Sequence, residues 1–322
     1  MTTRITSKLL FAAIVFLACF NAFSAKLFDL KVCDSKAAFY FADQDIMLGN
    51  SSLQYAVIYI HGIQGGAGDS AANMRRKFQE YSPDCQVLTI APLFPTEKTC
   101  PKSRRKKALL WEKGWRCGDE AVNGNNISSY EVIDRIYSIL SDSKLYPSMK
   151  KITLCGFSAG GQFVNRYTAV GKLPVNPKIE TVFAVANPSV YLYVNKLRFA
   201  DGKFIEIKAN NGFNNWHYGL DNRNKYGKDL LPEQIMKNLV SRKTVYFCGT
   251  ADLKGMNNRE AMLQGKNRYD RFLIYQKYTN LFPEWSKAIR FIAVPEIQHS
   301  STVFYYNNEL QELVFGKKLE KE

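Results

Sequence analysis

The stretch Cys155-Gly156-Phe157-Ser158-Ala159-Gly160-Gly161 sets a serine among glycines. The apolar run Ile152-Thr153-Leu154-Cys155 leads into it, and a helix-compatible stretch, Gln162 to Ala169, leads out. In that strand–turn–helix context Gly-x-Ser-x-Gly is a nucleophile elbow: the serine stands on strained backbone, and its neighbours must be tiny for strand and helix to close around it. The helix start also aims free N–H groups and a positive dipole end at the serine. Without that context the same string is a glycine-rich turn with a surface serine. A serine hydroxyl is a weak nucleophile at neutral pH, so it needs a base, and the base needs an orienting acid. His61, His217 and His299 are the whole histidine supply. Asp252 follows the apolar Tyr246-Phe247-Cys248 through a short turn, whereas Asp221, Asp229 and Asp270 compete by residue type alone.

Those residues are spread along an alternating pattern. Tyr55 to Ile60 is a continuous apolar β-rich run of the kind buried on both faces in a parallel sheet, and it ends in His61-Gly62-Ile63-Gln64-Gly65-Gly66. A helix near Ala71 to Glu80, a strand Gln86 to Ala91, a helix Ser128 to Ser141, a strand over 151–155, a helix over 162–169 and a strand Thr181 to Ala186 follow. A polar and aromatic excursion then runs from Asn187 to about Ser241. The alternation resumes with strand Lys243 to Cys248, helix Asn258 to Leu281, strand Ala288 to Val294 and a last helix Asn307 to Val314. Strands alternating with helices predict an α/β fold with a mostly parallel sheet. Lys26 to Asn50 has no clear period. One late insertion next to strand ends reads as a lid at about 187–241, which leaves 26–322 as a single domain. Within it, Asn210-Asn211-Gly212 and Asn214-Asn215 favour turns.

Residues 1–25 read as a signal peptide: basic Arg4 and Lys8, apolar Leu9 to Phe20, and the small-x-small site Ala22-Phe23-Ser24. Its apolar part is too short to span a membrane comfortably, so no integral span is expected in the mature chain. Phe16-Leu17-Ala18-Cys19 is close to a lipobox, but Phe16 stands where leucine is usual, which makes lipidation the lesser reading. Export places the protein in the periplasm or outside the cell, an oxidising setting in which six cysteines suggest disulfides. Cys100–Cys117 is the first expected pair and Cys33–Cys85 the second; Cys155 and Cys248 are read equally well as buried thiols. No Cys or His spacing resembles a zinc site. The net charge is +15, falling to +13 without Arg4 and Lys8, and it draws the chain to anionic surfaces. Only Lys102 to Lys107 forms a dense basic run, and no nucleic-acid module is recognisable, so no nucleic-acid partner is expected. Lys317 to Glu322 reads as a solvated tail.

The order of motifs over about residues 55–305 resembles the α/β-hydrolase superfamily. More loosely, His61-Gly62, the pattern Trp111 to Trp115-x-x-Gly118 and Gln264-Gly265-Lys266-Asn267-Arg268 resemble a secreted branch of polyhydroxybutyrate depolymerase-like and feruloyl-esterase-like proteins. The resemblance implies an α/β-hydrolase fold: a mostly parallel central sheet, helices on both faces and a lid insertion. Its Ser…Asp…His order implies Ser158 as nucleophile, Asp252 as the orienting acid 94 residues on, and His299 as the base 47 residues further. An acid at the end of the preceding strand has no support, because Asn187 lacks a carboxylate. His61 is then a brace of its loop, and His217 a packing or substrate-contact residue. The oxyanion hole is expected from the N–H groups of Ala159 and Ile63, with Gln64 the close alternative; Ile63-Gln64 stands where some lipases carry further glycines.

The chemistry implied is two-step acyl transfer on a small-molecule or polymeric ester, with neither metal nor organic cofactor required. Peptide cleavage or acyl transfer to another acceptor fits the same constellation. A basic, non-catalytic binding module on the same scaffold is a reading from another class, and it has no need of all three residues. Trp115, Trp216 and His217 are the expected substrate contacts. Tyr191, Tyr193, Phe199, Phe204, Phe213, Tyr218 and Trp111 could complete an aromatic wall or simply fill a core.

Overall fold

Apolar runs without alternation form the middle of a sheet covered on both sides, and that is how the chain is built. The structure is a computed structural model, described over residues 25–124, 126–174, 176–208 and 212–316. The export signal with its near-lipobox, the turn at Asn210-Asn211 and the tail Lys317–Glu322 lie outside those residues. In chain order the strands and helices are β1 (Lys26–Lys31), β2 (Ala37–Ala42), β3 (Tyr55–Ile60), α1 (Ala67–Tyr81), β4 (Val87–Leu93), α2 (Ser129–Leu140), β5 (Lys151–Phe157), α3 (Ala159–Val170) and β6 (Glu180–Ala186). They continue with β7 (Leu197–Ala200), β8 (Lys203–Glu206), α4 (Pro232–Ser241), β9 (Thr244–Gly249), α5 (Arg259–Met262), α6 (Arg268–Thr279), α7 (Pro283–Lys287), β10 (Ile289–Val294) and α8 (Glu309–Phe315).

Eight strands form one sheet in the order β1-β2-β4-β3-β5-β6-β9-β10. The pairs from β4 to β10 are parallel, while β1 and β2 join antiparallel at one edge. The strand period of two sorts side chains between two cores. Ile58, Leu154, Val185 and Tyr246 face α2, α3, α4 and α6, which contribute Ile136, Phe163, Leu239 and Tyr275. Val57, Cys155, Ala184 and Phe247 face the opposite way, toward Met74 and Phe78 of α1 and Val314 and Phe315 of α8.

Two stretches differ from the sequence reading. Lys26 to Asn50 holds the hairpin β1–β2; β2 shows little alternation because it lies between β1 and β4 and is largely buried. The expected helix Asn258 to Leu281 is two helices, α5 and α6, broken where Gly265 takes φ +137°. Asn267 restarts the helix, its side chain accepting from the Asp270 N–H at 2.9 Å.

Among the described residues the expected disulfides Cys100–Cys117 and Cys33–Cys85 do not form, and Cys85, Cys100, Cys117, Cys155 and Cys248 are free thiols. Cys33 sits in the β1–β2 turn. That turn lies at the C-terminal end of β4, because β2 runs antiparallel to it with Phe39 opposite Leu93. Cys85 precedes β4, at the other end of the sheet. Cys100 packs with Phe39, Ala108 and Leu110, while Cys117 closes a separate 3₁₀ turn, Lys113–Cys117, near Tyr130. Cys155 and Cys248 face opposite sides of the sheet. Among the described residues no helix is long and apolar enough to cross a membrane.

A half-buried carboxylate ties α2 to α3 and to the excursion between β6 and β9. Asp134 accepts from Tyr167 Oη at 2.5 Å and from Tyr226 Oη at 2.7 Å. Burial pushes its pKa up to about 6, against the lowering effect of those hydroxyls. A folded-state pKa above the unfolded value means stability is fully present below about pH 4 and declines as pH rises through 6. Asp134→Asn should therefore flatten the pH dependence of the melting temperature between pH 4 and 7; an unchanged slope would show that Asp134 is not its source. Alkylation of unreduced, denatured protein should cap Cys85, Cys100, Cys117, Cys155 and Cys248, and loss of label from both Cys100 and Cys117 would restore a disulfide.

Candidate active site

Ser158 ends β5 and starts α3 with φ 58° and ψ −111°, a conformation that costs a non-glycine residue roughly 1–3 kcal/mol. Its N–H donates to Ala186 O at 2.9 Å, and its carbonyl accepts from the Gln162 N–H at 3.0 Å, so the strained residue is held on both sides. The flanking glycines are needed for close approach. A Cβ at Gly160 would lie 2.0 Å from Ile60 O, and one at Gly156 would lie 2.4 Å from Gly160 O. Helix, β5 and β3 therefore meet at backbone distance under the serine.

His299 follows β10 and brings the other two residues to Ser158. Its Nε2 lies 3.0 Å from Ser158 Oγ and its Nδ1 lies 2.6 Å from Asp252 Oδ2. Asp252, after β9, is 2% exposed. Burial pushes its pKa up, but the hydrogen bonds from His299 and Asn187 and the charge of Arg268 outweigh that and hold it below the ordinary carboxylate value. An ionised Asp252 can only accept, so Nδ1 carries the imidazole proton and the Nε2 lone pair faces the serine hydroxyl. In that arrangement the imidazole can take a proton from the hydroxyl. Asp221 and Asp229 are exposed, and Asp270 accepts from the Lys266 N–H in α6, so none of the three competes for His299.

Two residues complete the acid's surroundings. Asn187, buried at the end of β6, donates to Asp252 Oδ2 at 2.6 Å. Arg268 donates to Asp252 Oδ1 at 3.2 Å and to Ser189 Oγ at 3.1 Å. In the sequence Asn187 figures only as a missing carboxylate, though its place at a strand end beside the acid's strand signals a partner for Asp252. Arg268 belongs to the Gln264–Arg268 motif. In that motif Gln264 bonds both the N–H and the carbonyl of Tyr191, so it anchors the start of the excursion.

His61 is 2% exposed, and both ring nitrogens are engaged. Its Nε2 accepts from the Phe94 N–H at 3.2 Å, which leaves Nδ1 to donate to Gly62 O at 2.7 Å. Burial pushes its pKa down, and the ring stays neutral. The next residue abuts the serine: a Cβ on Gly62 would lie 4.0 Å from Ser158 Cβ. Ile63, 49% exposed, follows in the Gly62–Gly65 turn. Ala159 opens α3, where the first N–H groups have no intrahelical acceptor. Ile63 and Gln64 line a cavity of about 320 Å³ together with Phe94, Thr96, Lys113 and Trp115. Trp115 is its aromatic floor, stacked on Phe94 at 5.2 Å.

Trp216 and His217 do not line that cavity. Trp216 Nε1 donates to Cys117 O at 2.8 Å and so fastens the excursion to the 3₁₀ turn Lys113–Cys117. Burial, with the charges of Arg166 and Arg116, pushes the His217 pKa down to about 3. Most of the expected aromatic wall is core: Tyr191 and Tyr193 stand ring to ring with Tyr275 and Tyr278 of α6, each at 4.3 Å, and Trp111 is equally buried.

No protein-family model matches the sequence, and no curated protein matches it. Solved structures do. A poly(3-hydroxybutyrate) depolymerase from Bordetella parapertussis superposes with a TM-score of 0.61 at 16% identity, over 92% of this chain and 91% of its own. Poly(aspartic acid) hydrolase-1 from Sphingomonas sp. KT-1 superposes with the same TM-score, 0.61, at 19% identity, over 91% of this chain and 98% of its own. The chain has the α/β-hydrolase fold.

In this α/β-hydrolase fold the Asp252 carboxylate is buried just past β9, and His299, the amide of Asn187 and Arg268 together keep it charged. A carboxylate whose folded pKa is depressed adds stability above its unfolded pKa and loses it as pH falls through the folded value. Asn187→Ala removes one hydrogen bond to that charge, worth about 1.5–3 kcal/mol. The variant should begin acid unfolding at a higher pH than the wild type by near-ultraviolet circular dichroism; coincident acid transitions would mean that Asn187 does not support the charge.

Proposed function

We propose that this chain is a serine hydrolase that cleaves carboxylic esters, small or polymeric, through an acyl-enzyme intermediate on Ser158. The observation that carries the reading is His299 standing between Ser158 Oγ and a buried, charged Asp252, at a serine held on strained backbone. His299 Nε2 takes the Ser158 proton as Oγ attacks the ester carbonyl. The oxyanion sits between the N–H groups of Ala159 and Ile63, and His299 then protonates the departing alcohol. Water, losing its proton to the same nitrogen, releases the acid and regenerates the serine. Asp252 fixes the tautomer and stabilises the imidazolium, and Asn187 and Arg268 hold Asp252.

The depolymerase and the poly(aspartic acid) hydrolase that share the fold are each named for breaking down a polymer, which fits the polymeric side of this proposal. Export is part of it too, and rests on Arg4, Lys8 and the apolar Leu9 to Phe20. The excursion between β6 and β9 is proposed as the lid.

A fluorophosphonate probe should label the purified protein, and Ser158→Ala should abolish labelling. His299→Ala should lower kcat/KM on 4-nitrophenyl esters by about 10³-fold or more. Labelling that persists in Ser158→Ala would remove Ser158 from the role of nucleophile.

A further inference from the structure

Four buried side-chain atoms without a hydrogen-bond partner belong to residues that adjoin one another: Gln162 Oε1, Arg166 Nη2, Arg116 Nε and His217 Nε2. Arg166 Nε donates to His217 O at 2.8 Å and its Nη1 to Gln162 O at 2.7 Å. Arg116 lies close enough for its charge to act on both Arg166 and His217. Arg166 is wholly buried, and its hydrogen-bond acceptors are carbonyl oxygens. Arg116 donates to Lys113 O at 3.2 Å, and its charge acts on the Cys117 thiol. Asp119 accepts from Asn224, and its charge acts on Arg116 without a hydrogen bond to it.

Two guanidiniums beside each other, one of them fully buried, are costly without a counter-charge. The neutral His217 ring supplies none. Gln162 brings the cluster toward the serine. Gln162 is one helical turn from Ser158, to whose carbonyl its N–H is bonded, and long side chains on a helix lean back toward its N-terminus. The two unpartnered guanidinium N–H groups suit the two oxygens of a planar carboxylate. A tetrahedral phosphoryl or sulfonyl group would bring a third oxygen toward the Gln162 Oε1 acceptor.

We propose that Arg116, Gln162, Arg166 and His217 form a carboxylate-binding subsite beside Ser158, so that the preferred esters carry a free carboxylate a few bonds from the scissile carbonyl. The proposal rests on the serine-hydrolase reading. Its test is a matched pair of substrates, 4-nitrophenyl butyrate and mono-4-nitrophenyl glutarate, which differ chiefly in the terminal carboxylate. The wild type should favour the glutarate in kcat/KM by tenfold or more, and Arg116→Gln and Arg166→Gln should each reduce that ratio toward one. Free glutarate should compete with the neutral ester in the wild type and do so less well in Arg116→Gln. Should buried Arg166→Gln fail to fold, the partly exposed Arg116 still decides the matter. A wild type that cleaves the neutral ester but shows no preference for the glutarate overturns the subsite alone, as does an Arg116→Gln variant that keeps the preference. If neither ester is cleaved and Ser158 does not label, the serine-hydrolase reading falls, and the subsite with it.

Discussion

The close approach of three backbones beneath Ser158 is the constraint from which the rest of the architecture follows. Because Gly160 presses on the Ile60 carbonyl, α3 starts directly over β3, and the strained serine stands beside the turn that β3 feeds. A side chain at Gly160 would push the helix off the sheet and separate Ser158 from the Ile63 loop. The strain at Ser158 is affordable because β5 and α3 are buried along nearly their whole length. The packing of two cores against the sheet therefore fixes a local geometry that the residue would not adopt alone.

Burial also decides the electrostatics. Asp252 is as buried as His61, yet one is charged and the other neutral. Asp252 has Asn187, His299 and Arg268 to oppose the desolvation cost, while His61 has one acceptor, one backbone donor and no counter-charge. Asp134 shows the intermediate case, in which two tyrosine hydroxyls do not offset burial and the carboxyl titrates near pH 6. The Arg116–Arg166 pair inverts the pattern: the two positive charges act on each other, and Asp119 offsets only Arg116, from outside hydrogen-bond contact.

The excursion between β6 and β9 is less a loose cover than an extension of the fold. Gln264, Arg271 and Tyr275 bond its backbone near Ser189–Leu192, and Trp216 fastens it to the turn that also supplies Trp115 and Arg116. What touches the space beside Ser158 is thus set by contacts made far along the chain.

The parallel strands and the elbow were legible in the sequence because both are local. An unbroken apolar run such as Tyr55–Ile60 announces a strand buried on both faces, and glycines at 156 and 160 announce a tight strand-to-helix turn. The order Ser158, Asp252, His299 placed three residues at strand ends, and strand ends in one sheet converge. Other features were beyond local reading. The β1–β2 hairpin hides its period, since β2 is buried between neighbours that the sequence does not name. Cysteine count suggested bridges, but strand direction puts Cys33 and Cys85 at opposite ends of the sheet and side-chain parity puts Cys155 and Cys248 on opposite faces. Asn187 supports Asp252 only because β6 and β9 pair in parallel, and Arg116 meets Arg166 only because the turn at 113–117 packs on α3. Sequence fixes what each residue can do within its own element; which charges share a dielectric, and which are left unpaired, is decided by contacts between elements far apart in the chain.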